Sequence, residues 1–217
     1  MIKKIQASTG EKILLIFLIL LAIISFLFYF TIKNKCLFVE KVDLQRINFQ
    51  NTENIVVMNV ECGEVVIELL PNLSPNSVER FKFFISNGYY DGSAFYRVIK
   101  DTLIQAGDLE YGNIENIDYY RVGSGKSKLG LINSEISNKF EFKAGSIGLV
   151  RSDAFNTEDS EFFILLKHIP LFNGEYTPIG KVIYGLDALA KIKSSDKTEY
   201  VLRPDYLIDF KLLEQHN

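Results

Sequence analysis

At 217 residues the chain accommodates one ordinary globular domain plus an appendage. Its net charge of −3 hides an asymmetry: residues 1–35 hold five lysines against Glu11, which leaves the remainder at −7. An acidic domain without a basic stripe repels phosphate backbones, which excludes nucleic acid as a leading partner. The two cysteines, Cys36 and Cys62, are too few for a disulfide framework and lack zinc-ligand spacing. Lipidation of Cys36 beside a membrane helix, or a bridge to Cys62, competes with two unpaired thiols, and the sparse pattern favours the thiols.

Residues 1–12 read as a cytoplasmic tail. Residues 13–32 (ILLIFLILLAIISFLFYFTI) form an uncharged run, which at about 1.5 Å per residue spans the roughly 30 Å hydrocarbon core as one helix. A cleavable signal peptide has an apolar core of about 7 to 15 residues ending in a small-x-small site. Here Phe26, Leu27, Phe28, Tyr29 and Phe30 stand where small residues are needed, so the segment is expected to remain as a signal anchor. Lys3, Lys4 and Lys12 before the helix, against Lys33 and Lys35 after it, lean toward a cytoplasmic N-terminus. The domain would then lie outside the cytoplasm, in a periplasm, an organelle lumen or the cell exterior. Residues 33–53 show no clean period and read as a stalk, with the folded domain at 54–217.

Residues 55–60 (IVVMNV) and 64–69 (EVVIEL) are β-branched runs separated by Glu61, Cys62 and Gly63, a hairpin signal. Ser74 then Pro75 gives an N-cap and a first-turn proline. Val78, Phe81, Phe84 and Ile85 recur at helical spacing before Gly88. Short apolar runs follow at 94–99, 103–106, 146–151, 162–166 and 177–184, then a helical stretch at 186–192 and a last alternating segment at 206–212. Many short strands with two helices predict a β-barrel or sandwich with helical caps.

Three stretches carry a family resemblance. GYYDGSAFYRVIKDTLIQAGD (88–108), GSIGLVRSDAFNTEDSEFFILL (145–166) and LFNGEYTPIGKVIYGLDAL (171–189) resemble, in order and spacing, the signatures of cyclophilin-type peptidyl-prolyl isomerases. The resemblance implies a mostly β fold: a closed eight-stranded antiparallel barrel capped by two helices, here preceded by one transmembrane helix, with a substrate groove on the outer wall. It implies proline-containing peptide segments as partners and no cofactor or metal. It also assigns Arg97 as the catalytic donor and Gln105 as the glutamine that positions it. Phe163 becomes the aromatic floor of the proline pocket, with Leu103 and Phe172 as apolar wall.

Some positions depart from the family. Thr102 stands where phenylalanine is common, Leu171 where many members have tryptophan, Tyr176 where many have histidine, Ser152 where many have asparagine, Glu161 where glutamine is usual, and Tyr96 in place of the histidine before the arginine. All but Tyr96 are expected to line the substrate groove. An aromatic face lost at Thr102 removes contact worth up to about 1.5 to 3 kcal/mol, which implies weaker substrate binding. Glu161 accepts but does not donate, and pairing with Arg151 is the alternative to its binding peptide. The competing reading is a binding module that keeps the groove but turns over weakly. Peptide binding without rate enhancement would identify it.

Residues 123–127 (GSGKS) resemble the end of a phosphate-binding loop, but Tyr120 stands where its first glycine belongs. Nucleotide is therefore not expected, and 123–128 read as a flexible loop. His168 and His216, the two histidines, form no metal or triad cluster in the sequence.

Overall fold

The computed structural model describes residues 8–40, 42–49, 51–194 and 199–215. Residues 1–7 of the expected tail, with Lys3 and Lys4, and also His216, lie outside the described residues. The chain divides into two compact units, Met1–Phe38 and Val39–Asn217.

The first unit is helix α1 (Thr9–Lys33). Its start is fixed by a capping box: the Glu11 amide donates to Ser8 Oγ at 3.3 Å, and the Ser8 amide donates to the Glu11 carboxylate at 2.6 Å. Lys33 in the last turn complements the helix dipole. Residues Thr9–Thr31 are long and apolar enough to cross a membrane, and their apolar side chains are exposed.

The second unit begins earlier than the sequence suggests. Residues 39–53, read as a stalk, belong to the same compact unit as the strands. Val42, Leu44, Ile47 and Phe49 are half-buried, and the Glu40 amide donates to Asp187 Oδ2 at 2.8 Å. Apolar residues that looked scattered in the sequence thus have a surface to cover. The cysteine expectation is also corrected, because Cys36 and Cys62 are both disulfide-bonded rather than free thiols.

Eight antiparallel strands form one curled sheet in the order β3-β4-β6-β5-β7-β2-β1-β8. They are β1 (Ile55–Val60), β2 (Gly63–Leu69), β3 (Arg97–Ile99), β4 (Leu103–Ala106), β5 (Ser146–Leu149), β6 (Phe162–Leu165), β7 (Pro178–Tyr184) and β8 (Asp209–Leu212). The β1–β2 hairpin turns at Gly63, whose φ of +141° suits glycine. The curl closes through backbone bonds just ahead of the two edge strands, Phe95 N to Asp205 O (3.0 Å) and Leu207 N to Ser93 O (2.8 Å).

Helix α2 (Pro75–Ser86) buries Val78, Phe81, Phe84 and Ile85. Phe81 meets Tyr90, Phe162 and Phe210 at centroid distances of 5.2 to 5.6 Å, so an aromatic cluster joins helix and sheet. Ser74 does not cap α2 through its side chain; its hydroxyl donates to the Pro178 carbonyl instead. Glu135 supplies the cap, accepting from the Ser77 amide at 2.8 Å and the Asn76 amide at 3.2 Å. The second helix, α3 (Leu186–Leu189), is a single turn rather than the seven residues expected.

The glycine-rich segment at 123–127 has its own structural reason. Amides of Gly123 and Gly125 donate to Asp108 Oδ2 at 2.7 and 3.0 Å, while those of Glu110 and Tyr111 donate to Oδ1. A Cβ at Gly125 would lie 2.0 Å from Asp108 Oδ1. Ser127 is tied to Asp159 as well. The loop is pinned around a buried carboxylate, which corrects the expectation of a flexible segment.

Candidate active site

Cross-strand register assembles the site. Arg97 on β3 lies opposite Gln105 on β4, Gln105 opposite Phe163 on β6, and Phe163 opposite Gly148 on β5. Direct cross-strand partners share a face, so guanidinium, amide and phenyl ring stand in one row. The row fits because Gly148 has no side chain: a Cβ there would lie 2.5 Å from Phe163 Cζ.

Arg97, Leu103, Gln105, Val150, Arg151, Phe163, Phe172, Tyr176 and Tyr200 enclose a cavity of about 190 Å³. Phe163, only 3% exposed, is its floor. Phe172 and Tyr176 stand edge-on to that ring at 5.3 and 5.2 Å and lie 4.6 Å from each other, making an aromatic corner. A larger groove of about 690 Å³, lined by residues such as Val42, Phe49 and Leu213, shares no residue with this one.

The structure brings together six of the predicted site residues, Arg97, Gln105, Leu103, Phe163, Phe172 and Tyr176, and leaves four outside the lining. Thr102 sits in the β3–β4 turn, where its hydroxyl donates to Lys100 O at 3.0 Å. Ser152 is exposed and bonded to Thr157 at 3.0 Å. Leu171 is 85% exposed, pointing away from packing. Glu161 is 6% exposed and lies beneath Gln105.

Glu161 also does not pair with Arg151. The Tyr96 hydroxyl donates to Glu161 Oε2, and Gln105 Nε2 donates to the same oxygen at 3.0 Å. Arg151 instead bonds the Glu175 carboxylate at 3.1 Å and the Glu175 carbonyl at 2.9 Å, with its guanidinium 5.1 Å from the Tyr176 ring centre. It lines the cavity next to Tyr176.

Arg97 is held from two sides. Its Nη1 donates to Gln105 Oε1 at 3.0 Å, and its Nε donates to Glu199 Oε2 at 2.7 Å, with Nη2 on the same oxygen. These bonds use three of the five guanidinium N–H groups, and the side chain keeps 28% exposure. Segment 199–201 runs alongside β3 through Val98 N to Glu199 O (2.9 Å) and Val201 N to Tyr96 O (2.9 Å). That places the Tyr200 ring on Tyr96, 6.2 Å between centres.

Sequence reasoning missed Glu199, Tyr200, Val150 and Gly148. Glycine inside a strand was a usable signal for Gly148; nothing local marks Glu199 or Tyr200. Burial pushes the Glu161 carboxyl above its ordinary range, against the hydrogen bonds from Tyr96 and Gln105 that favour the anion. Burial and the neighbouring Glu161 push the Tyr96 phenol well above its usual value, so it stays a neutral donor.

A convergent amide, guanidinium and aromatic floor line a groove on a curled eight-stranded sheet, and no cluster of three or more metal-ligating side chains is found among the described residues. Comparison with known proteins names the family. Residues 55–211 match the family described as cyclophilin type peptidyl-prolyl cis-trans isomerase/CLD. A probable peptidyl-prolyl cis-trans isomerase of Brucella suis biovar 1 is 38% identical over 168 residues, covering 76% of this chain and 85% of the relative. A peptidyl-prolyl cis-trans isomerase of Arabidopsis thaliana is 32% identical over 138 residues, 62% of this chain and 79% of that one. Among solved structures, a Cryptosporidium parvum cyclophilin-type isomerase, crystallised in the presence of the dipeptide Ala-Pro, superposes with a TM-score of 0.63 at 26% identity. It covers 73% of this chain and 98% of that one. The chain belongs to the cyclophilin-type peptidyl-prolyl cis-trans isomerase family.

Proposed function

We propose that this isomerase is held at a membrane by α1 and turns over proline-containing segments on the extracytoplasmic side, with Arg97 as the catalytic donor. The observation that carries the assignment of Arg97 is the register Arg97–Gln105–Phe163 across β3, β4 and β6.

Partial double-bond character of the prolyl amide sets a barrier of about 18 to 20 kcal/mol. A catalyst lowers it by binding the twisted amide more tightly than the planar one. The proline ring fits on Phe163, against the corner that Phe172 and Tyr176 form. Arg97 then donates to the prolyl nitrogen as its lone pair leaves conjugation, while Gln105 keeps the guanidinium in place and contacts the peptide backbone. A hydrogen bond from a charged donor is worth about 1.5 to 3 kcal/mol, or about 10- to 100-fold in rate. A protease-coupled assay on the full-length protein in detergent micelles tests the assignment. Arg97→Ala is expected to lose about that factor, and wild-type turnover in the variant would refute it.

Two observations support the placement. Helix α1 is long and apolar enough to span a bilayer, and disulfide-bonded Cys36 and Cys62 fit an oxidising compartment. Protease added to spheroplasts should digest the domain while sparing an N-terminal tag, and carbonate extraction should leave the full-length protein in the pellet. Protection of the domain would reverse the topology. A product lacking α1 would make it a signal peptide.

A further inference from the structure

Beneath the groove lies a buried polar pair, Glu161 and Tyr96, that is not part of the cavity lining. Glu161 and Tyr96 are almost wholly enclosed, and both touch the side-chain nitrogen of Gln105. We propose that Glu161, seated by Tyr96, is a positioning residue that fixes which way the Gln105 amide faces and thereby keeps its oxygen on Arg97. The inference rests on Arg97 acting as the catalytic donor.

A glutamine amide has two near-isosteric orientations, and its surroundings select one. Here the nitrogen faces two oxygens, Glu161 Oε2 at 3.0 Å and the Tyr96 hydroxyl. The oxygen faces Arg97 Nη1 at 3.0 Å. An ionised carboxylate is acceptor-only, so it requires the N–H group inward and leaves the carbonyl outward. The reversed amide would set oxygen against carboxylate and N–H against guanidinium, losing two charge-assisted bonds at once. Tyr96 spends its proton on Glu161, which leaves its own oxygen free to accept from Gln105. A neutral glutamine at position 161 presents donor or acceptor equally well and selects neither orientation.

The arrangement makes turnover depend on the charge of Glu161. The groups around that carboxylate are Tyr96, Gln105, the buried Tyr90 phenol, the more distant Asp108 carboxylate and the Lys126 ammonium. Burial lifts its pKa despite the bonds it accepts. Protonation therefore turns the acceptor-only carboxylate into a carboxyl that donates as well as accepts, at a higher pH than an exposed carboxylate allows, and turnover falls on the acid side there.

Steady-state kinetics on full-length protein in detergent micelles, as a function of pH, test this with Glu161→Gln, Tyr96→Phe and Arg97→Ala. Glu161→Gln is expected to lower kcat about three- to tenfold at pH 7.5, the worth of one net hydrogen bond, to leave KM near its wild-type value, and to abolish the acid limb. Tyr96→Phe should keep an acid limb with reduced kcat. In the wild-type protein, the Gln105 side-chain amide protons should show nuclear Overhauser contacts to the Tyr96 ring. If Arg97→Ala retains full turnover, the catalytic assignment falls and the inference with it. If Arg97→Ala is inactive while Glu161→Gln keeps wild-type kcat and acid limb, or if the Gln105 amide protons contact Arg97 instead of Tyr96, the inference alone is overturned.

Discussion

Replacing Gly148 with alanine adds one methyl group beside the ring that floors the groove, on the same face of the sheet. The new Cβ would lie 2.5 Å from Phe163 Cζ, 2.9 Å from Cε1, and 3.0 Å from Phe142 Cε1. Carbon atoms pack best at about 3.5 to 4.0 Å, so the phenyl ring must retreat by about 1 Å. On the core side it is packed against buried Leu103, Phe142 and Leu165, with Phe142 at 5.8 Å, whereas half-buried Phe172 and Tyr176, at 5.3 and 5.2 Å, line the cavity. The ring therefore moves toward the cavity it floors and narrows the place for proline. Overpacking of this kind costs about 1 to 3 kcal/mol, which for a domain of this size lowers Tm by several degrees, at about 2 to 4 °C per kcal/mol. Arg97 and Gln105 belong to other strands and keep their contacts, so the loss should fall on peptide affinity rather than on kcat. Thermal melts and titration of a proline peptide by calorimetry measure the two parts. Wild-type affinity together with wild-type Tm would refute the reasoning that Gly148 makes room for the floor.

Glu161→Gln should also change stability with a sign opposite to its effect on rate. The folded pKa of Glu161 is raised, so its contribution to stability is full below the unfolded value near 4.5 and is lost as pH rises through the folded value; the variant should melt higher than wild type at pH 7.5 and show little difference at pH 4. Glu135→Ala removes the carboxylate that accepts from two amides of α2, and should cost about 0.5 to 2 kcal/mol in denaturant titrations, as loss of a helix cap does. Glu199→Gln weakens a half-exposed ion pair to Arg97. Urea titration should show a change within about 1 kcal/mol, while kcat/KM should lose part of its dependence on salt concentration.

How far the sequence could be read depended on the kind of contact. Strands β1 and β2, helix α2 and the later short strands were legible because β-branched runs, a first-turn proline and glycine stops act locally. The inner and outer faces of β4, β5 and β6 were not, since all four residues of each are buried. One side fills the barrel and the other carries the aromatic groove, so the period-two alternation that marks a face is erased. Position by position, the family resemblance placed Arg97, Gln105 and Phe163 where the register puts them. It also placed Glu161 at the groove surface, where a glutamine is usual, but a carboxylate bonded by Tyr96 and Gln105 sits beneath it. Glu199 reaches Arg97 across a long sequence separation, and Glu135 reaches α2 from a distant loop; neither contact leaves a local pattern. Two cysteines in 217 residues gave no spacing from which to infer their oxidised state.

Leu171 stands almost fully exposed, next in the chain to Phe172 of the groove lining, in a chain that contains no tryptophan. The protein's ultraviolet emission therefore comes from its 11 tyrosines and 17 phenylalanines alone. Leu171→Trp would install a single indole next to the aromatic corner, at a site whose present side chain contributes so little packing that stability should shift by no more than about 0.5 kcal/mol. Its red-shifted fluorescence is spectrally separate from every tyrosine in the chain. Occupancy of the groove becomes readable without an attached dye, in micelles or in a bilayer, on the same sample whose turnover is being followed.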